Sequence, residues 1–283
     1  MKHLDDLSQL SAATAAWRAA GLHVGFVPTM GALHAGHLSL VGAARAACDR
    51  VVVSVFLNPT QFGPNEDLDA YPSDLARDRA LLEEAGVDAL FTTSPSAMYP
   101  DGFATWVEVE GLTDRLCGAS REGHFRGVTT VVTKLLNLVG PCRAFFGEKD
   151  RQQLVVLQRM VADLNLPVEA VGCPIVREPD GLALSSRNAY LDPAERTRAL
   201  ALSQGLRDAQ QAFAGGETSG PALEAAVRAR LEAAAAELDY VELVDPGNLA
   251  RLAVAVPGAV LAVAAKVGST RLIDNHALGQ PWR

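Results

Sequence analysis

Two imidazoles stand three residues apart in Met30-Gly-Ala-Leu-His34-Ala-Gly36-His37, a spacing that puts both on one face of a first helical turn. Imidazoles there can donate hydrogen bonds to phosphate oxygens as charge develops on a leaving group. Gly31 permits a tight turn, and Gly36 removes a side chain where backbone must approach a nucleotide. The alternative is two unrelated histidines, one a cap and one exposed. A second candidate is Phe145-Phe146-Gly147-Glu148-Lys149-Asp150, where the Lys149 ammonium can reach a phosphate. A lysine at a helix start is otherwise mildly unfavourable, which itself argues for an anionic partner. A third is Leu184-Ser185-Ser186-Arg187-Asn188, whose hydroxyls and guanidinium can wrap a triphosphate or can be a solvated turn. Gln61 and Gln153 offer uncharged amides, able to orient a carboxylate without damping its nucleophilicity, or are surface amides.

Other polar residues have less context. His124 and Arg126 precede a predicted helix and can face an anion. Asp67, Asp69, Asp74 and Asp78 share one acidic segment; a solvated loop and helix face fits them better than contact with Mg²⁺ or its waters. His3, His23 and His276 stand without supporting residues. The four cysteines, at 48, 117, 142 and 173, form no C-x-x-C pair and read as buried, reduced thiols.

These groups need elements to hold them. Leu22–Pro28 reads as a strand, Gly36–Cys48 as a helix and Val51–Leu57 as a strand covered on both sides, which makes a parallel βαβ unit. The alternation continues. A helix spans Ser73–Ala85 with Ser73 as its cap, and a strand Asp88–Thr92. Gly127–Val139 reads as a helix, Arg143–Phe146 as a strand, Asp150–Leu164 as a helix and Val168–Val171 as a strand. Residues 93–126 mix turns and short strands. The pattern predicts α/β: a Rossmann-like parallel sheet with helices on both faces. Both leading motifs then lie where a strand turns into a helix, the edge at which open α/β sheets bind ligands.

Beyond Val176 the texture changes to helices at 193–214 and 220–237, then strands at 239–244, 259–265 and 270–274. That predicts a smaller α+β C-terminal domain, 176–283, after a first domain of 1–175, with the 184–188 loop at the boundary and able to close over a ligand. The apolar stretch 252–265 is broken by Pro257-Gly258 and reads as two strands around a turn, not a membrane span. The N-terminus is acidic where a signal peptide needs an apolar core, so a cytoplasmic location is expected. Net charge is -8 and no basic run is present, so nucleic acid is not an expected partner; positive charge for a polyanion must be gathered locally.

VPTMGALHAGH, FLNPTQF, YPSDLARD, HFRGVTTVV, FFGEKD with the following QQ, and the SSRN loop occur in the order found in pantothenate synthetases. Over about residues 24–190 the chain resembles that family, within the wider HxGH nucleotidylyltransferase superfamily. The resemblance implies a Rossmann-like domain with a C-terminal lid, a cytosolic homodimer, and (R)-pantoate, β-alanine and Mg-ATP as substrates. It implies that Met30, Gly31, Ala32, Leu33, His34, Ala35, Gly36 and His37 bind ATP, with His37 the proton donor. Gly147, Glu148, Lys149 and Asp150 would also bind ATP. Val176 would pack on the nucleotide, and Leu184, Ser185, Ser186 and Arg187 would close over it. Gln61 would meet pantoate and β-alanine, and Gln153 pantoate. The reaction expected is attack of the pantoate carboxylate on the α-phosphorus, with His34, His37, Lys149, Arg187 and Mg²⁺ offsetting charge, then aminolysis of the adenylate. Leu184 stands where the family has Met, and Arg151 where an aromatic residue is common. The rivals are a transferase that leaves the nucleotide on its product, and a nucleotide-binding regulatory module.

Overall fold

The computed structural model describes residues 1–64 and 66–282. The first elements are β1 (Lys2–Leu4), α1 (Leu7–Ala19), β2 (Val24–Thr29), α2 (Ala35–Ala47), β3 (Arg50–Val55), α3 (Leu75–Glu84) and β4 (Ala89–Thr92). Two short helices follow, α4 (Pro95–Met98) and α5 (Cys117–Ser120), then α6 (His124–Val139), β5 (Cys142–Gly147), α7 (Arg151–Asp163) and β6 (Val168–Cys173). The second half adds α8 (Pro193–Ala214), α9 (Gly220–Ala233), β7 (Glu237–Val244), β8 (Val260–Val267) and β9 (Thr270–Ala277).

The first six strands form one sheet in the order β1-β4-β3-β2-β5-β6, with every pairing parallel. Successive side chains of a strand point to opposite faces, so the apolar runs are covered twice. Phe26, Val52, Ala144 and Phe146 pack with residues of α1, α6 and α7. Val27, Val51, Val53 and Phe145 pack with α2 and α3. The chain steps outward from β2 to β3 and β4, then returns to place β5 on the other side of β2. That reversal is the topological switch point, and the crevice at the carboxyl ends of β2 and β5 is where such sheets take ligands.

The smaller sheet is antiparallel, in the order β7-β8-β9. One face carries α8 and α9 through Leu202, Leu206, Leu223 and Val227. The other packs Val244, Val260 and Ala262 against Leu116 and Val155 of the first half. Several sequence expectations shift. Asp74, not Ser73, caps α3, accepting from the Arg77 N–H at 2.9 Å. Residues 252–258 form no strand; Leu252 and Ala255 make single hydrogen bonds to Leu243 and Thr218, and Pro257 and a left-handed Gly258 interrupt the run. The second half of that stretch is β8 as expected. β1 and α1 had no sequence expectation.

Candidate active site

β2 ends at Thr29, and its continuation turns over Gly31 at φ +88° and Ala32 at φ +51° into α2. A Cβ on Gly31 would lie 3.1 Å from both Asp78 and Val55, so glycine is fixed here by space as well as by backbone. Asp78 is almost fully buried under the turn and accepts from the Leu33 N–H at 2.8 Å. Burial raises its carboxyl above the usual range against these hydrogen bonds. Asp78 is thus a support of the turn, not the solvated acid its neighbours suggested.

His34 is the N-cap of α2: its Nδ1 accepts from the Gly36 N–H at 3.1 Å, which leaves Nε2–H as the donor. A Cβ on Gly36 would stand 2.9 Å from that ring, so this glycine serves the cap. The His34 and His37 rings lie 4.1 Å apart. Burial and the Lys149 charge hold His34 down to about 4, and burial and His34 hold His37 down to about 3, so both are neutral near pH 7. The Nδ1 of His37 is buried without a hydrogen-bond partner among the described residues.

One cavity of about 230 Å³ lies over this turn. It is lined by Met30, His34, Gly36, His37 and Gln61; by Gly147, Lys149, Asp150 and Gln153; and by Val176, Leu184, Ser185, Ser186 and Arg187. A wider cleft of about 1100 Å³ continues from it and shares Lys149, Asp150, Gln153, Ser185 and Arg187. The three motifs, far apart in sequence, therefore converge on one space. The 184–188 loop is tied directly to the histidine turn, with Ser186 Oγ donating to the Ala32 carbonyl at 3.2 Å. Leu33 lies elsewhere, in the core beneath α2; Gly31, Ala32, Ala35 and Glu148 are likewise not among the lining residues.

The two glutamine positions separate in character. Gln61 is buried and lines the cavity, and its Oε1 accepts from Asn58 at 3.0 Å, which leaves its amide N–H groups as the donors it can offer a ligand. Asn58 is itself fixed by donors from Tyr99 at 2.8 Å and Thr60 at 2.9 Å. Gln153 lines both spaces, whereas its neighbour Gln152 is buried and holds the 112–117 loop through Cys117, Leu112 and Arg115.

Arg126 does not face the cavity; it stacks on Trp106 at 4.5 Å, near Glu108. Two residues earlier on α6, His124 lines the cavity with Nδ1 2.9 Å from the Gln61 carbonyl, and burial and Arg121 hold it down to about 4. Arg121 went unnoticed in the sequence. It enters the cavity from before α6, paired with Glu66 at 2.6 and 2.7 Å; burial opposes that carboxylate, but the guanidinium brings it down to about 2. Arg151 turns from the histidine cavity to the Pro246 carbonyl at 3.0 Å. No group of three or more acidic, His or Cys side chains able to hold a metal occurs among the described residues.

The family model for pantoate–β-alanine ligase matches residues 2–277. The pantothenate synthetase of Pelotomaculum thermopropionicum is 53% identical, covering 97% of this chain and 98% of that one. Pantothenate synthetase 1 of Bradyrhizobium diazoefficiens is 56% identical over 98% of each. The crystal structure of the Thermus thermophilus pantothenate synthetase superposes with a TM-score of 0.92 at 50% identity, covering 98% of this chain and 99% of that one. The Francisella tularensis ligase, solved with beta-gamma ATP and beta-alanine, gives 0.82 at 34% over 98% of this chain and 97% of that one. The chain belongs to the pantoate–β-alanine ligase family.

Proposed function

We propose that this enzyme, an ATP-using ligase, joins (R)-pantoate to β-alanine through a pantoyl-adenylate, releasing AMP and pyrophosphate. The observation that carries the reading is the convergence of His34, His37, Lys149 and Arg187 with two amides, Gln61 and Gln153, on a single cavity. The cations and imidazoles suit a triphosphate, and the amides suit a hydroxy acid whose carboxylate must stay nucleophilic.

The pantoate carboxylate, oriented by Gln61 and Gln153, attacks the α-phosphorus in line with the departing pyrophosphate. Lys149 and Arg187 take the growing negative charge, and His34 donates from Nε2–H as a neutral imidazole. His37, beside it, is the proton-donating partner. A bound triphosphate raises both imidazole pKa values, opposing the burial that depresses them. Val176 and Leu184 pack beside the nucleotide. The C-terminal part, residues 176–283, acts as the lid that keeps water from the anhydride while the neutral amine of β-alanine attacks the acyl carbon and AMP leaves.

Magnesium fits this site as part of the nucleotide. Mg²⁺ usually takes one or two carboxylates plus phosphate oxygens, and Asp150 is the carboxylate among the residues lining the histidine cavity. Asp150 would hold it, and the ion would supply charge neutralisation of the phosphates. The homodimer and the cytosolic location are carried over with the family; no helix among the described residues is long and apolar enough to cross a membrane. The test is product analysis with ATP, pantoate and β-alanine, omitting each in turn, with exchange of labelled pyrophosphate into ATP in the absence of amine. Free AMP, pantothenate and pantoate-dependent exchange are expected. A product that retains the nucleotide would refute the reading.

A further inference from the structure

Lys149 sits on the 3₁₀ turn Glu148–Asp150, and neither that turn nor the start of α7 has a side-chain cap of its own. By contrast α2, α3 and α8 are capped by residues next to them, His34, Asp74 and Asp192. What holds the turn comes from 126 residues away. Asn275 of β9 donates from Nδ2 to the carbonyls of Glu148 and Lys149, both at 2.9 Å. Both partners are acceptors, so the nitrogen of this amide must face them.

Asn275 is buried, and β9 grips the other side of the site as well. Asp274, pointing to the opposite sheet face, takes Arg177 at 2.6 and 3.0 Å in a buried pair. Arg177 begins the hairpin that bridges to Ala183 and delivers Leu184 and Ser185 to the cavity. One strand therefore holds the lysine turn by one face and the hydroxyl loop by the other. We propose that Asn275 is a positioning residue for Lys149, through which the C-terminal sheet sets the ammonium against the phosphates. This rests on the reading of Lys149 as a phosphate-binding cation.

A shift of about 1 Å at a group that offsets transition-state charge costs on the order of a hundredfold, so a partial loss of register should be plain in the rate. The experiment measures adenylate formation by pyrophosphate exchange for Asn275→Ala, Asn275→Ser and Asn275→Asp. Each is made with Lys149 present and with Lys149→Ala, and melting temperatures are recorded. Asn275→Ala should lower the rate about tenfold with the pantoate KM within about twofold. Asn275→Ser, which keeps one donor, should fall between it and wild type. Asn275→Asp should be worse than Ala, because it sets carboxylate oxygens against two carbonyls. A space-filling role predicts the reverse order. Over Lys149→Ala the Asn275 losses should shrink below about twofold, since the group being positioned is gone. Undiminished losses in that background, Asp milder than Ala, or unchanged rates would overturn the inference while leaving a crippled Lys149→Ala to support the site. A near-normal Lys149→Ala would instead sink the Lys149 assignment, and this inference with it.

Discussion

Two of the cations lining the cavity, Lys149 and Arg187, are held in opposite ways. Among the described residues the Lys149 ammonium has a long contact to its neighbour Asp150, at 3.6 Å, and no other ion pair, and its turn is held through backbone. Arg187 is engaged by Asp67 through two hydrogen bonds of 2.8 and 2.9 Å and lies 5.7 Å from the Tyr71 ring. Burial works against the guanidinium's charge, but Asp67 more than restores it. One cation is left open and the other already has an anion, Asp67, which latches the loop of residues 184–188. On the proposed function, a triphosphate arriving at Arg187 would have to displace or share that carboxylate.

The largest effect expected is at the open cation. Lys149→Ala should depress adenylate formation a hundredfold or more, on the order of 3 kcal/mol for a lost transition-state donor. Rates near normal would remove Lys149 from the mechanism and break the comparison at once. The latched cation allows a gain. Asp67→Asn frees the guanidinium, and the ATP KM should fall about threefold, in the range of one partly exposed ion pair. A rise in KM would mean that Asp67 itself serves the nucleotide.

This contrast was only half visible in the sequence. The HxGH and GEKD motifs could be placed because each follows an apolar strand and opens a helix, a local pattern. The Arg187–Asp67 pair spans 120 residues, and the Asp78 support of the histidine turn spans 45. In an acidic segment, nothing local distinguishes Asp67 and Asp78, which fold onto the site, from Asp69 and Asp74, which stay exposed. Arg126 drew attention because it stands in one motif with His124, and Arg121 has no such motif around it; two positions along a helix reverse the face, and Arg126 ends on Trp106. β1 has three residues, too few for periodicity, and the apolar run at 252–256 looked like a strand but found only single bridges. The other five strands of the sheet were legible as short apolar runs, that of β3 continuous and β-branched.

The histidines offer a smaller and sharper reading of the same contrast. Lys149 contributes to the depression of both imidazoles, after burial and, for His37, after its neighbour His34; Arg187 is not among the leading causes for either. In an NMR titration Lys149→Ala should therefore raise the pKa of His34 above about 4 and of His37 above about 3, while Arg187→Ala leaves both in place. The sign for stability follows. The unfolded chain binds a proton near pH 6.5 and the folded one refuses it until about 4 or 3. These two groups add no penalty above pH 6.5, and stability is lost as the pH falls through that window. Bound ATP should reduce the loss. Equal responses to the two substitutions would erase the distinction between the cations.

The smallest effect should come from Tyr190, which touches the latch from outside. Its hydroxyl donates to the Ala70 carbonyl at 3.0 Å and, at 3.4 Å, to Asp67. Burial and the Asp67 charge push the phenol up to about 12, so it remains a donor throughout the working pH range. Tyr190→Phe removes both contacts but leaves the Asp67–Arg187 bonds intact. Ala70 is exposed, so water can replace the lost donor, and the net cost should stay below about 1 kcal/mol. If the ion pair is the latch, Tyr190→Phe should change the ATP KM by less than about twofold, well short of Asp67→Asn. An equal or larger fall would move the latch from the ion pair to the Tyr190–Ala70 clasp, because that clasp also ties the segment after Arg187 to the loop that carries Asp67.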